Sequence, residues 1–337
     1  MKAKTPRLLV LLCLLLAALC SCAPIADEPP APDTPDEPAE LPAAQEIYFI
    51  IHHIFVGSLT PEGKWRSVSD TSLSFEAGEE FSMGELFGQS CYTWYTQDGA
   101  SHTADSFVSP VGNVPGGFFP SLAEEFDPYA LEADGYGHDR FAVPTELPSE
   151  LADVTVPSYS FYMNIDGDAV LAASTERDLC PAGLVWRGDG YNVPASQDET
   201  DAVQAILQQN GISSEAFLQV VDVDYDSDGQ EESFVFASTP RDEDGYQIVS
   251  EENGGTFSLV LLMDNGGAEM VYSKFAPYTD DVTAVFVQRL AGPFDLDGDG
   301  VYEVCMTEGY WESAAHFVLQ RQSDGTWKIV LTGVSGT

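Results

Sequence analysis

Beyond residue 45, short runs in which apolar positions recur at every second residue dominate the chain, and that period belongs to strands. Residues 46–56 (Glu-Ile-Tyr-Phe-Ile-Ile-His-His-Ile-Phe-Val) are dense in β-branched and aromatic side chains. They read as one strand, with His52 and His53 on opposite faces and so unable to share a metal. The turn-forming stretch 57–63 leads into Lys64–Val68, which predicts a hairpin. Residues 72–97 offer further short strands, among them Cys91–Tyr95, where Tyr92, Trp94 and Tyr95 pack a sheet or, alternatively, form a sugar-stacking platform. Residues 110–150, rich in Gly, Pro and Asp, read as loop. Strands resume at Tyr159–Ile165 and Ala169–Ser174, joined through Asp166-Gly167-Asp168 as a hairpin.

One helix is marked. Ser196 and Glu199 stand at the spacing of a capping box, in which each side chain satisfies a free backbone donor of the other. Val203, Ile206 and Leu207 then share a face, and Gly211 can end the helix in a left-handed turn. After it the pattern repeats. An acidic loop, Asp224–Glu232, precedes the strand Ser233–Ser238, and the strands Phe257–Met263 and Ala268–Phe275 flank a turn at 264–267. The same series begins again 71 residues on, with Asp295–Glu303, Val304–Thr307, His316–Gln320 and Trp327–Thr332. Each unit has about four strands, the size of a propeller blade or half a sandwich. The predicted fold is mainly β with one or a few short helices. Its sheets are antiparallel, and its C-terminal region holds two propeller-blade-like units. The predicted domains are a β-rich 46–195 and a β-rich 196–337.

The N-terminus has a different pattern. Lys2, Lys4 and Arg7 precede an apolar run, Leu8–Leu19, of signal-peptide length and too short to span a membrane. Leu19-Cys20-Ser21-Cys22 resembles the bacterial lipobox, which implies removal of residues 1–21 and lipidation of Cys22; an ordinary secretory signal is the alternative. The chain would then sit, lipid-anchored, on the outer face of the bacterial cytoplasmic membrane. Residues 23–44 hold seven prolines and six acids with no Lys or Arg, so 22–45 reads as a lipidated cysteine with an extended tether.

Charge narrows the partners. The chain carries 55 acidic against 13 basic residues, a net −42, and loss of the signal takes this to about −45. Nucleic acid is implausible at that charge; cations and basic surfaces fit, although acidity also serves solubility. Cys13, Cys20 and Cys22 belong to the signal, leaving Cys91, Cys180 and Cys305. An odd count argues against a disulfide framework, a Cys91–Cys180 pair stays open, and Cys305 reads as a core residue.

The candidate chemistry lies in the repeated loops, both of the form D-x-D-x-D-G-x-x-E. The first offers Asp224, Asp226, Asp228, the carbonyl of Gln230, and Glu232; the second offers Asp295, Asp297, Asp299, the carbonyl of Val301, and Glu303. Calcium takes six to eight oxygens, and carboxylates at the first, third and fifth places converge when the loop wraps one centre. Gly229 and Gly300 permit the sharp turn. These are not EF-hands, because the twelfth place holds Val235 or Met306 and β-type sequence follows. Over residues 215–335 they resemble the calcium-binding hairpins of FG-GAP or VCBS-type repeats, and the layout is similar to that of bacterial surface lipoproteins. The resemblance implies calcium and a surface location. The ions would staple the hairpins; ligand recognition through the ion, or acidic turns without one, are the alternatives.

Elsewhere Asn164-Ile165-Asp166-Gly167-Asp168 looks like a broken third loop or a plain turn, and Arg187-Gly188-Asp189 reads as a turn although it spells an integrin-binding tripeptide. No H-E-x-x-H, G-x-S-x-G, S-x-x-K or phosphate-cradling loop occurs. The expected function is a calcium-stabilised binding or scaffolding module for an unknown protein or carbohydrate ligand. The alternative is an extracellular hydrolase of cell-wall or carbohydrate polymers using carboxylates in 46–195. A two-lobed solute-binding protein is disfavoured, since only one helix is marked.

Overall fold

In the computed structural model the first apolar run does not continue as one strand. It breaks at His52-His53 into β1 (Ile47–Ile51) and β2 (Ile54–Leu59), an antiparallel hairpin with Ile51 opposite Ile54. Both histidines have positive φ, 43° and 72°, the conformation of two-residue turns that match strand twist. No local glycine marks the turn. A tertiary chain holds it instead: His52 Nδ1 lies 2.9 Å from Thr307 Oγ1, which lies 2.9 Å from His316 Nδ1, and His316 Nε2 lies 3.2 Å from Ser335 Oγ. The structure describes residues 45–336 apart from 74–75, 90–91, 105–109, 113–151, 154, 157, 159–160, 164–168, 182–183, 241–253, 266, 279–286 and 310–312. The signal, Cys22, the tether, Cys91 and the segment Asn164–Asp168 therefore lie outside the described residues.

Three antiparallel sheets follow. The first joins β1 and β2 with β3 (Trp65–Ser67), β4 (Tyr92–Thr96), β5 (Ser101–Ala104), β6 (Pro110–Gly112), β7 (Phe161–Met163) and β8 (Ala169–Ala173). Its order is β5-β4-β8-β1-β2-β7-β6, with β3 also on β2. The expected hairpin across 166–168 is thus corrected: β7 and β8 are separated by the β1–β2 pair, whose own tight turn takes the central place in the sheet. The second sheet runs β13-β12-β11-β10-β9, from β9 (Val185–Gly188), β10 (Phe217–Val223), β11 (Glu232–Ser238), β12 (Gly255–Asp264) and β13 (Gly267–Pro277). The third runs in chain order through β14 (Val287–Phe294), β15 (Glu303–Gly309), β16 (Ser313–Arg321) and β17 (Trp327–Gly336). The repeat read in the sequence is the meander β10–β13 followed by the meander β14–β17, each with its acidic loop between the first two strands.

Among the described residues two helices close the ends. The predicted one, α2 (Gln197–Gln209), has the Ser196–Glu199 capping box and buries Val203 and Leu207. The other, α1 (Met83–Phe87), is a single turn with a second capping box, Ser82–Glu85. It replaces strand expected in 72–97; a turn so short shows no periodicity.

Alternate residues of each strand feed different cores. Tyr48, Ile50 and Tyr92 pack with Phe81, Met83 and Leu86 around α1, whereas Phe49, Leu171 and Tyr95 pack with Phe294, Val318 and Leu331 of the third sheet. Tyr92 and Tyr95 are fully buried, so they are core and not a sugar platform. Phe234 and Phe236 meet Met306, Phe317 and Leu319, while Val235 and Ala237 meet Val203 and Leu207 of α2. The layers stack as α1, first sheet, third sheet, second sheet, α2. The blade-like expectation reduces to the two meanders, packed face to face.

The packing does not follow the expected divide at 195/196. β9 pairs with β10 across it, residues 45–337 form one compact unit, and Arg187 on β9 forks to Asp222 on β10 and Glu199 on α2, each within 2.6 Å. The Arg187-Gly188-Asp189 tripeptide is spent on this ion pair and on Asp189, whose Oδ2 accepts from the Leu218 N–H. Replacing Phe294, which meets Tyr95 edge-on at 5.7 Å between the first and third sheets, tests the shared core. Phe294→Ala should cost about 3–5 kcal/mol in denaturant melts of the full chain and move one cooperative transition. Two transitions, only one of them shifted, would restore two independent domains.

Candidate metal centres

Each acidic loop leaves the end of one strand and enters the next, and its backbone reverses twice on the way. The fourth and sixth places have positive φ in both: Ser227 at 59° and Gly229 at 87°, Gly298 at 84° and Gly300 at 85°. In both loops the acids of the first and third places come together. The sixth-place glycines were legible in the motif; the fourth-place demand was not, since one loop meets it with serine. The Ser227 hydroxyl donates to Gly300 O at 2.8 Å, which ties that unfavourable conformation to the neighbouring loop. A second tie joins the loops, Tyr302 N–H to Tyr225 O at 3.2 Å.

The carboxylates come together, though in different subsets. Asp224, Asp226 and Glu232 offer oxygens that lie within 4.8 Å of one another, as do Asp295, Asp297 and Asp299. Asp228 stands apart from the first group and accepts from Gln230 N–H and Gln230 Nε2, both at 2.8 Å. Glu303 stands apart from the second and is buried. The ninth-place acid closes both loops identically: Glu232 Oε2 accepts from Tyr225 N–H and Glu303 Oε2 from Leu296 N–H, each at 2.9 Å. Gln230 and Val301 enter through their N–H groups, bonded to Asp228 Oδ1 and Asp299 Oδ1 at 2.8 Å.

The second loop is held from outside by side chains that no motif named. Gln320 Nε2 donates to Asp297 Oδ2 at 2.8 Å and Glu303 Oε1 at 3.1 Å, and its own Oε1 accepts from Trp65 Nε1 at 3.1 Å. The Arg177 guanidinium donates to the carbonyls of Leu296 at 2.5 Å and Asp297 at 3.1 Å. A Cβ on Gly298 would lie 2.0 Å from Arg177 Nη1, so a side chain there would push the guanidinium tip off the loop carbonyls, besides straining the positive φ. Trp65 and Arg177 come from the first sheet and the segment after β8, far away in sequence, and only folding reveals them.

The electrostatics favour a bound positive charge. Burial, then the Asp297 charge, pushes the Glu303 carboxyl up to about 8. Burial and Asp299 raise Asp297, and burial raises Glu232 beside Asp226, Asp228 and Asp224. Asp224 Oδ1 is shielded from water and has no hydrogen-bond partner among the described residues. An orphaned carboxylate oxygen inside an acidic group fits a cation, and an all-oxygen donor set fits a hard one. Of the remaining expectations, Cys180 and Cys305 are free thiols, Cys305 being buried in the core, and the two adjacent histidines form a turn.

Comparison with known proteins finds no family model that matches the chain, and no curated protein or solved structure that does.

The Glu303 carboxyl gives a pH test. Without metal, the folded chain holds a proton there that the unfolded chain releases from its ordinary value of 4.5. The folded state thus binds more protons between about 4.5 and 8, and this group's stability contribution, complete below that window, is lost as pH rises through it. Chelator-treated protein should melt at a lower temperature at the top of the window than at its foot, and Glu303→Gln should flatten that slope. An unchanged slope in the variant would remove Glu303 from the account.

Proposed function

We propose that the chain is a lipid-anchored surface protein whose β-rich body is stapled by two calcium ions and acts as a binding or scaffolding module. One observation carries this reading: two loops 71 residues apart gather three carboxylates each, and each closes on its ninth-place glutamate through a bond from the second-place N–H. Carboxylates so close repel one another, and a divalent ion offsets that repulsion while satisfying Asp224 Oδ1. Asp224, Asp226, Asp228 and Glu232 with the Gln230 carbonyl would hold one ion. Asp295, Asp297, Asp299 and Glu303 with the Val301 carbonyl would hold the other. Because the loops touch and lie on different sheets, ions there would fasten the second sheet to the third. The lipid on Cys22 and the acidic tether would supply the anchor; among the described residues no helix is long and apolar enough to cross a membrane.

At calcium about tenfold above its dissociation constant, each site should add roughly 1.4 kcal/mol. Thermal melting of the full chain should rise by several degrees over its value in excess chelator. Asp226→Ala and Asp297→Ala should each remove part of that rise, and together all of it. A Tm indifferent to millimolar calcium sinks the stapling. Separately, Cys22→Ala should move the expressed chain from the membrane fraction to the soluble one; continued membrane association would refute the lipid anchor.

A further inference from the structure

The connection from β9 to α2 folds back over the start of β10 and leaves a cleft of about 500 Å³, within the range of small-ligand sites. Its frame is fixed before any ligand arrives. Gly188 has φ 96°, and a Cβ there would lie 2.3 Å from Leu218 O, so only glycine lets β9 come this close to β10. Asp189 and Leu218 exchange two hydrogen bonds, at 2.6 and 2.7 Å, and Gly188 N–H donates to Val193 O at 2.7 Å. Tyr191 stacks on Trp186, ring centroids 5.7 Å apart and planes 21° from parallel, which holds its ring in one orientation. Pro194, Ala195, Ala216 and Leu218 supply small apolar walls.

Three polar groups at this cleft remain unspent. Asp189 Oδ1, the Tyr191 hydroxyl and the Asn192 amide have no hydrogen-bond partner among the described residues. Among the described residues no Lys or Arg lines the space, Asp189 puts a negative charge there, and the chain carries −42, so phosphates and carboxylates are disfavoured. One aromatic ring does not make the cage that quaternary ammonium groups need. A single braced ring, a carboxylate acceptor, and an amide that both donates and accepts match a sugar instead. The C–H face of its ring lies on the aromatic plane while its hydroxyls donate to Asp189 and trade bonds with Asn192.

We propose that this cleft is a binding site for a short neutral saccharide, with Tyr191 as the stacking residue and Asp189 and Asn192 as the hydroxyl-reading groups. The inference rests on the reading of the chain as a binding module, but not on the calcium loops.

The test is calorimetric titration of the full chain with cellotriose, chitotriose and maltotriose up to roughly 10 mM, a range that still detects weak sites. It is run once in calcium and once in chelator. At least one of the three should bind saturably. Tyr191→Ala should weaken it about tenfold or more, and Asn192→Ala, at an exposed position whose side chain supports nothing in the fold, several-fold. Inorganic phosphate and choline should give no heat. The inference is overturned if none of the three sugars binds, if binding survives both variants unchanged, or if choline binds in their place. A melting curve unmoved by calcium would fail the stapling and leave this titration standing; a silent titration beside a calcium-shifted curve would fail the saccharide site alone.

Discussion

The middle of the third sheet is buried on both faces, and the rest of the molecule is arranged to make that possible. Three successive residues of β15, Val304, Cys305 and Met306, are fully buried, and Phe317, Val318 and Leu319 on β16 are nearly so. A strand covered on one side alternates in burial; one covered on both sides does not. Val304 and Met306 point to the second sheet and Cys305 to the first, so the middle of the sheet has no water-facing surface on which to place a polar side chain cheaply. Each polar group it carries must find a partner within the stack.

The charged groups and the histidine follow that rule on both faces, while the buried Thr332 Oγ1 on β17 has no partner among the described residues. Toward the second sheet, the fully buried Glu308 accepts from Lys274 Nζ and the Tyr272 hydroxyl, both at 2.9 Å, and so binds β15 to the edge strand β13. Toward the first sheet, Thr307 and His316 meet His52 from the β1–β2 turn. A histidine in left-handed conformation is costly in isolation, and this contact explains why the hairpin turns there and not at a glycine. The acidic loops follow the same logic at the sheet ends. They emerge from the second and third sheets side by side, where charge accumulates and where the Ser227–Gly300 and Tyr302–Tyr225 bonds add a further fastening between the two layers.

Much of this was legible before folding. The capping box at Ser196–Glu199 names a helix start because its chemistry is local, and the repeat at Asp224 and Asp295 is visible because a loop that gathers carboxylates needs them at fixed short spacings. Other features left no local trace. Ser82–Glu85 carries the same cap signal but opens only one turn. Arg177, Gln320 and Trp65 hold the second loop from distant segments, and their residue types are common at any surface. The Tyr191 cleft depends on Gly188 approaching Leu218, which is a fact of strand pairing.

By itself, then, the sequence determined the strand-rich character, the two four-stranded units, the helix α2, and the places where carboxylates converge, all properties set by neighbours within about ten residues. Only the tertiary structure decided the stacking of the third sheet between the other two, the turn at His52-His53, the separation of β7 from β8, and which acids meet in each loop. These depend on what lies across the layer, and a chain read in order holds no record of its neighbours in space until burial brings distant groups into contact.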